Sequence, residues 1–580
     1  MILQSLHALY DRLKDDPAYE IAPPGYSLQK IAFTIVLRPD GSLFEIEDSR
    51  IEGRPRQVRV PGSNKPPGSG INPCFLWDNS GYMLGYKPDD PKPERTKKTF
   101  EAFRERHLAV ESEIRTPEFS AVCRFLESWV PENAGDVQLL RELKSGFGLF
   151  RIRGETTYVH ENPRVDAWWH RSLVEDQPES PERECLLTGR MGRIARLQPM
   201  LRNVAGGGAQ SSLVGFNDPS FESYGKEQAF NAPVGEDAAF EYGTALNALL
   251  DGRMKFKHRM LLGDSTIAFW TDRPCPTEDI FARFADRGAE IDTVTESQDE
   301  GLRRKLEVFL EALRHGIEKH AELGKDLDAR HFYVLALSPN QGRAAVRFFL
   351  HGTIRQLLDN LRRHFGDMGI ERQYGRTSKR PDPEFPPAWL LLRQTARESK
   401  EVPPILAAPL MRAILTGTRY SDSLYGAVLR RIHADRVVNY PRASIIKGCL
   451  VRNNRQEVSM SLDTERNDPA YRLGRLFAVL EKAQEDALGR VNASVRDRFY
   501  GAASATPRSV FPRLLRTYQH HLGKLDGGLK IAREKLVQEI VAPITDFPAH
   551  FNLAEQGLFA LGYYHQRQAF FKKLDADKQE

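Results

Sequence analysis

Residues 204–250 read VAGGGAQSSLVGFNDPSFESYGKEQAFNAPVGEDAAFEYGTALNALL. Gly206, Gly207 and Gly208 free the backbone for angles that a Cβ forbids, which suits a loop built for close approach. Residues 213–216 are expected as a short buried strand, ended by the Asn217-Asp218-Pro219 turn. Pro233 then opens a helix whose apolar face is Ala238, Tyr242, Ala245, Leu246 and Leu249. Between strand and helix lie Ser223, Tyr224, Lys226, Gln228 and Asn231, polar groups with nothing local to bury against. Glycine loop, polar turn and helix start could together hold a phosphate backbone. A long structural crossover accounts for the same residues. Strand, turn and helix in this order set a mixed α/β character for the N-terminal part.

At 580 residues the chain is too long for one core, so two or three domains are expected. Hydrophobic residues make up 41% and charged residues 28%, the balance of an ordinary globular protein. No apolar run approaches a membrane span, and residues 1–13 are too short and too polar for a signal peptide. Cys74, Cys123, Cys185, Cys275 and Cys449 are an odd, scattered set with no CxxC pair. Reduced thiols in a cytoplasmic protein are expected, not a disulfide frame or a zinc site. The net charge of +5, with a pI near 8.7, is a mild lean, so local clusters matter more than the total.

Residues 31–37 and 43–46 form an expected hairpin around Asp40-Gly41, with a third strand at 57–60. Residues 61–86 read PGSNKPPGSGINPCFLWDNSGYMLGY. The first part is an exposed loop, stiffened by proline and bared by glycine. Its Asn side chains can offer a donor and an acceptor at once to a base edge, and Lys65 can hold a phosphate. A plain surface loop fits the same composition. The FLWDNS segment that follows looks partly buried. Thr116-Pro117 starts a helix that runs to about Val130. Residues 147–153 and 156–160 form an expected second hairpin around Gly154, and His160 reads as a structural histidine.

Residues 253–260, RMKFKHRM, place Arg253, Lys255, Lys257 and Arg259 on one face of an expected edge strand. Such a row suits a phosphate track, and it is also how sheet edges deter aggregation. Further strands are expected at 266–270, 332–337 and 344–349, with a turn at 338–340 and Arg343 and Arg347 near it. A long amphipathic helix is expected at 300–320. From 355 to 380 the balance turns basic, with Arg362, Arg363, Arg372, Arg376, Lys379 and Arg380 among the cations. The helix there ends near Gly366, and residues 375–387 read as the main domain boundary.

Beyond it the period is helical. Residues 404–416 and 421–432 are two expected helices, and 460–580 an expected bundle of about four. Asp468-Pro469 caps the first bundle helix, whose face is Leu473, Leu476, Phe477 and Leu480. Thr506-Pro507 is a candidate cap for the second, with Pro512 delaying its regular part. There Val510, Leu514, Tyr518 and Leu522 recur on one face, while Arg513, Arg516, His520 and Lys524 lie on others. That stripe fits a path for single-stranded DNA, or a solvated face. Asn552 and Glu555 are a capping pair for the last helix. The fold class is therefore α+β: residues 1–375 mixed α/β, 376–459 a helical connection, and 460–580 an all-α bundle.

No GxxxxGK[ST] loop, HExxH, GxSxG or His-Asp dipeptide occurs. A non-catalytic binding protein without metal or other cofactor is the expectation. A metal-dependent nuclease with dispersed carboxylates and a scaffold that binds only protein are the alternatives.

SLVGFN, FESYGKEQ, NAP and TALNALL, with NPCFLWDNSGYMLGY, STIAFWTD, FYVLALSPNQGRAAVRFF and NYPRASIIKGCL, closely resemble the large subunit of the type I-C CRISPR effector complex, Cascade. The resemblance runs over most of the chain. It implies recognition of the PAM, the short duplex motif flanking the target, by Lys65, Gly68, Ser69, Gly70 and Asn72, with Asn79 the weakest member. From their polar or basic character, Lys226, Gln228, Asn231, Arg253, Lys255, Lys257, Arg259, Arg343, Arg347, Arg362, Arg363, Arg372, Arg376, Lys379 and Arg380 are the expected contacts to nucleic-acid backbone, with a solvated position the alternative for Arg343, Arg347 and the 355–380 cations. Arg513, Arg516 and Lys524 would retain the displaced strand. Implied partners are target double-stranded DNA, guide RNA, the backbone, guide-processing and small subunits, and a recruited helicase-nuclease. Residues 460–580 would be equivalent to the small subunit, with Met460 the candidate internal start.

Overall fold

The computed structural model describes residues 1–16, 19, 21–62, 70–143, 146–175, 181–206, 211–216, 218–251, 258–262, 264–274, 278, 281, 328–340, 343–373, 382–384, 386–489 and 492–576. The helix expected at 300–320 lies outside them. The chain packs as two compact units, one of residues 1–199 with 214–248 and the other of 200–213 with 249–580. This division does not follow the linker at 375–387, and a single core in the second unit runs from Met260 to Tyr564 across it. The α+β class holds, with the sheets in the N-terminal part and helices after it.

In the first unit, strands β1 (Tyr26–Leu37), β2 (Leu43–Asp48), β3 (Arg50–Ile51), β4 (Arg54–Pro61), β5 (Trp77–Asn79) and β6 (Phe147–Ile152) form one sheet in the order β3-β4-β1-β6-β5. β2 pairs with the second half of β1, as the expected hairpin requires, and Gly41 takes φ +91° in its turn. β1 is buried almost throughout, the pattern of a strand covered on both faces. The second expected hairpin does not form. β6 pairs in parallel with β1 on one edge, and on the other β5 takes Phe147–Leu149 antiparallel, so only Arg151 is left to meet residues 156–160. They turn instead into a 3-10 helix, Val159–Glu161, tied to Arg151 by one bridge at Tyr158. His160 is buried, its Nε2 lies 2.8 Å from the Arg59 carbonyl, and burial pulls its pKa down to about 4. The structural reading of His160 stands.

Thr116 caps the Pro117–Ser128 helix, its hydroxyl accepting from the Phe119 N–H at 3.2 Å. Strands β7 (Glu182–Glu184) and β8 (Met191–Arg193) form a small ribbon. The helix expected from Pro233 begins at Glu236, because Val234 and Gly235 are held in backbone pairing to Ala195 and Ile194. Its expected apolar face is buried.

The second unit's sheet runs β11-β12-β13-β14-β10-β9, from β9 (Met200–Leu201), β10 (Ser211–Ser212), β11 (Arg259–Leu262), β12 (Ser265–Thr271), β13 (His331–Asn340) and β14 (Arg343–Thr353). The strand expected at 213–216 lies earlier, at Ser211–Ser212, because the chain leaves this sheet after Ser212. β13 runs straight through the turn expected at 338–340. The Ile354–Met368 helix opens on a reciprocal box between Thr353 and Gln356 and runs past Gly366.

The C-terminal region holds five described helices, not four: Pro469–Leu488, Val495–Ala503, Pro507–Leu522, Gly527–Val541 and Leu553–Ala576. Asp468 caps the first, and Asn552 and Glu555 cap the last reciprocally at 2.7 and 3.0 Å. Thr506 does not cap its helix. Its hydroxyl donates back to the Ala502 carbonyl, and the helix runs regularly through Pro512. Gly474 and Gly562 let the first and last bundle helices touch backbone to backbone. A Cβ on Gly474 would lie 2.0 Å from the Phe559 carbonyl oxygen, and one on Gly562 2.1 Å from that of Tyr471.

Candidate nucleic-acid interface

The loop after β4 belongs to the first unit, and its two ends are clasped. Trp77, 1% exposed, donates its indole N–H to the Pro61 carbonyl at 2.6 Å. Lys65, Gly68 and Ser69 lie outside the described residues; Gly70 and Asn72 are on the exposed return. Arg95 donates to the Gly70 carbonyl at 3.3 Å, Arg106 donates to that of Pro73, and the Asn72 N–H donates to the Tyr82 hydroxyl at 3.2 Å. The loop's backbone is thus held from below, and the Asn72 side chain is left at the surface.

Beneath it, Leu76 adopts φ +62°, a strained angle for a residue with a side chain. His107 holds it there. The Leu76 N–H donates to His107 Nε2 at 2.9 Å, so Nδ1 carries the proton and donates to the Phe103 carbonyl at 2.7 Å. Complete burial, with a lesser push from Arg106, lowers the pKa of His107 to about 3, and its ring stacks on Phe75 at 5.5 Å. Asn79 differs from Asn72. Its Oδ1 accepts from the Gly81 N–H at 3.0 Å and its Nδ2 donates to Asp78 at 3.0 Å, so its amide is spent capping the Ser80–Met83 helix.

The polar turn of residues 218–231 also lies in the first unit, whereas the glycines before it fall in the second. The glycine loop and helix start expected as one surface therefore divide between units, and Gly207 and Gly208 lie outside the described residues. Ser223 and Lys226 close a tight turn in which Tyr224 (φ +54°) and Gly225 (φ +68°) take left-handed angles. Tyr224 is 98% exposed at its tip. Asn231 is the turn's internal brace: Oδ1 accepts from Ser223 N–H at 3.0 Å, and Nδ2 donates to the Lys226 and Gln228 carbonyls at 2.8 and 3.0 Å. Gln228 accepts from Arg196 at 2.9 Å. Of the three backbone candidates here, Lys226 is the one whose side chain bonds to none of the described residues.

In the second unit, Arg253, Lys255, Lys257, Arg376, Lys379 and Arg380 lie outside the described residues. The edge strand expected from 253 is described from Arg259. That guanidinium is not laid out for a ligand: it donates to the Leu250 carbonyl at 3.0 Å, and desolvation lowers its pKa. Arg343 opens β14 opposite Asn340 and Ser212. Arg347 stands 3.7 Å from Asp264, a surface pair of small energetic weight. Arg362, Arg363 and Arg372 are exposed. On the Pro507–Leu522 helix, Val510, Leu514, Tyr518 and Leu522 are buried, while Arg513, Arg516 and, just past its end, Lys524 are exposed. Arg513 lies over the Phe499 ring at 5.4 Å.

Among the described residues no group of His, Cys, Asp or Glu could hold a metal ion, and no helix is long and apolar enough to cross a membrane. Residues 6–571 match the family model described as CRISPR-associated protein (Cas_Csd1). No curated protein matches the chain.

Proposed function

We propose that this chain, which belongs to the Cas_Csd1 family of CRISPR-associated proteins, is the non-catalytic large subunit of a cytoplasmic, RNA-guided type I-C surveillance complex. Guide pairing supplies sequence specificity, while this subunit reads the PAM in target duplex, helps open it and recruits the helicase-nuclease. The observation that carries the reading is the clasped loop. Its backbone is tied down at Pro61, Gly70, Asn72 and Pro73 by Trp77, Arg95, Tyr82 and Arg106, and the exposed Asn72 amide, which bonds to none of the described residues, can meet a base edge. Exposed cations at Arg362, Arg363, Arg372, Arg513, Arg516 and Lys524 supply the electrostatic grip on backbone and displaced strand. Partner subunits and guide RNA complete the complex.

The test is binding of the assembled complex to target duplexes with correct and altered flanks. Asn72→Ala should weaken binding to the correct flank roughly tenfold, the worth of one base-edge contact, and leave the altered flank nearly unchanged. Equal loss on both would reduce the loop to a backbone grip. Chelator-sensitive cleavage of DNA by the purified chain would overturn the non-catalytic assignment.

A further inference from the structure

Helix ends in the second unit surround a cavity of about 850 Å³. Three stretches far apart in sequence line it: Arg363, residues 417–419, and residues 451–453 with 455–457. The Ala407–Thr416 and Tyr440–Asn454 helices both end here on left-handed residues, Gly417 at φ +66° and Arg455 at φ +56°. Four arginines (363, 419, 452 and 455) face a single carboxylate at the wall, Glu457.

Arg452 is the buried member, its side chain 1% exposed. Nε donates to Asp367 at 2.6 Å, Nη1 donates to the Ala413 and Thr418 carbonyls at 2.8 and 3.2 Å, and the guanidinium lies 4.2 Å over the Tyr420 ring. Nη2 is buried with no acceptor among the described residues. A donor left so is costly, and native proteins keep few of them. Gln456, also on the wall, has a buried Oε1 with no donor among them. Arg363, Arg419 and Arg455 are exposed and form no ion pair among the described residues. Three uncommitted cations thus line the cavity, with one buried donor lacking an acceptor and one buried acceptor lacking a donor on residues of its wall.

We propose that this cavity seats a nucleotide of a single-stranded nucleic acid. A phosphate oxygen accepts from Arg452 Nη2, the three exposed arginines hold this and neighbouring phosphates, and an N–H or O–H of base or sugar donates to Gln456. Planar guanidinium forks match phosphate geometry, and the volume lies in the range of small-ligand sites. A bare phosphodiester has no proton for Gln456, so phosphate alone leaves that oxygen unsatisfied. A duplex turns its phosphates outward on a convex surface and keeps its bases stacked, so it does not enter a concave site. The inference rests on the reading that this chain handles opened DNA.

The test uses the full-length chain and a fluorescein-labelled 12-nucleotide strand of mixed sequence, with the matching duplex as control. In the double variant Arg419→Gln/Arg455→Gln, single-strand affinity should fall about tenfold or more. The slope of log affinity against log salt should flatten by roughly 0.7 for each phosphate that is no longer neutralised. Duplex affinity falls by much less, and the melting temperature stays unchanged, since both side chains are exposed. AMP should compete with the strand on the parent protein and not on the variant. Unchanged single-strand affinity in the variant overturns the proposal, as does displacement by a glutamate-rich peptide where AMP has no effect. A parent that binds neither strand nor duplex defeats the proposed function as well; a variant equal to a parent that binds both defeats the cavity alone.

Discussion

The cavity around Arg452 and the cationic face of the Pro507–Leu522 helix carry charge of the same sign on opposite kinds of surface. Arg452 is buried, bonded to Asp367 and two carbonyls, and stacked on Tyr420. Arg516 and Lys524 stand in solvent, and Arg513 has the Phe499 ring beside it. A fixed, desolvated guanidinium has lost its entropy and its water before any ligand arrives, so a well-placed acceptor gains most from it. An exposed cation keeps its hydration and its rotamers, so it attracts any polyanion and selects none. Selectivity belongs to the concave site and reach to the convex one.

The largest expected effect separates the two on stability. Arg452→Met leaves the half-buried Asp367 and two carbonyls without their donor and should cost about 3 kcal/mol, read from the denaturant midpoint. A cost below about 1 kcal/mol would mean that the guanidinium is not locked, and the contrast would fail.

A medium effect comes from acid. His364 lies behind the same cavity, its Nδ1 2.7 Å from the Tyr420 hydroxyl; burial, with Arg452 nearby, lowers its pKa to about 3. Its unfolded value is near 6.5, so the unfolded chain takes up the proton first. The stability held above pH 6.5 is lost as pH falls toward 3, by about 1.4 kcal/mol per pH unit for one such histidine. His565 and His107, also lowered to about 3 by burial, add to the slope. In His364→Gln the acid slope should shrink by one histidine's share, measured by melts between about pH 4 and 7. An unaltered slope would mean that water reaches this ring.

The smallest effect on stability is expected on the helix face. Arg516→Gln should change it by less than about 0.5 kcal/mol. It should still flatten the salt dependence of binding by roughly 0.7 if the residue meets one phosphate. Loss confined to single strands would give this face the selectivity assigned to the cavity and erase the contrast.

Local signals were legible where the partners lie within one turn of chain. Thr116 with Pro117, Asp468 with Pro469, and Asn552 with Glu555 are caps whose donors and acceptors sit two or three residues apart, and they formed as expected. Apolar faces such as Val510, Leu514, Tyr518 and Leu522 follow from the helical period. Asn79, the weakest candidate because the FLWDNS segment looks partly buried, has its amide spent on a helix cap, whereas that of Asn72 is exposed. Residues 156–160 had strand-like composition but pair with β6 only through Tyr158 at Arg151, since β5 takes the rest of that edge. Arg419, Arg452 and Arg455 carried no signal of their own: Arg452 is one cation inside a helix, Arg419 lies between two helices and Arg455 just past a helix end.

Taken alone, the amino-acid order determined the α+β class, all the named helix caps but Thr506, the buried faces and the family likeness, because each depends on neighbours a few residues apart or on long motifs. The tertiary structure alone decided which strands flank β1, where the two units divide, and that arginines from three separate stretches share one cavity. Contacts of that kind depend on how buried surfaces close against each other over tens to hundreds of residues, and no spacing along the chain encodes that closure directly.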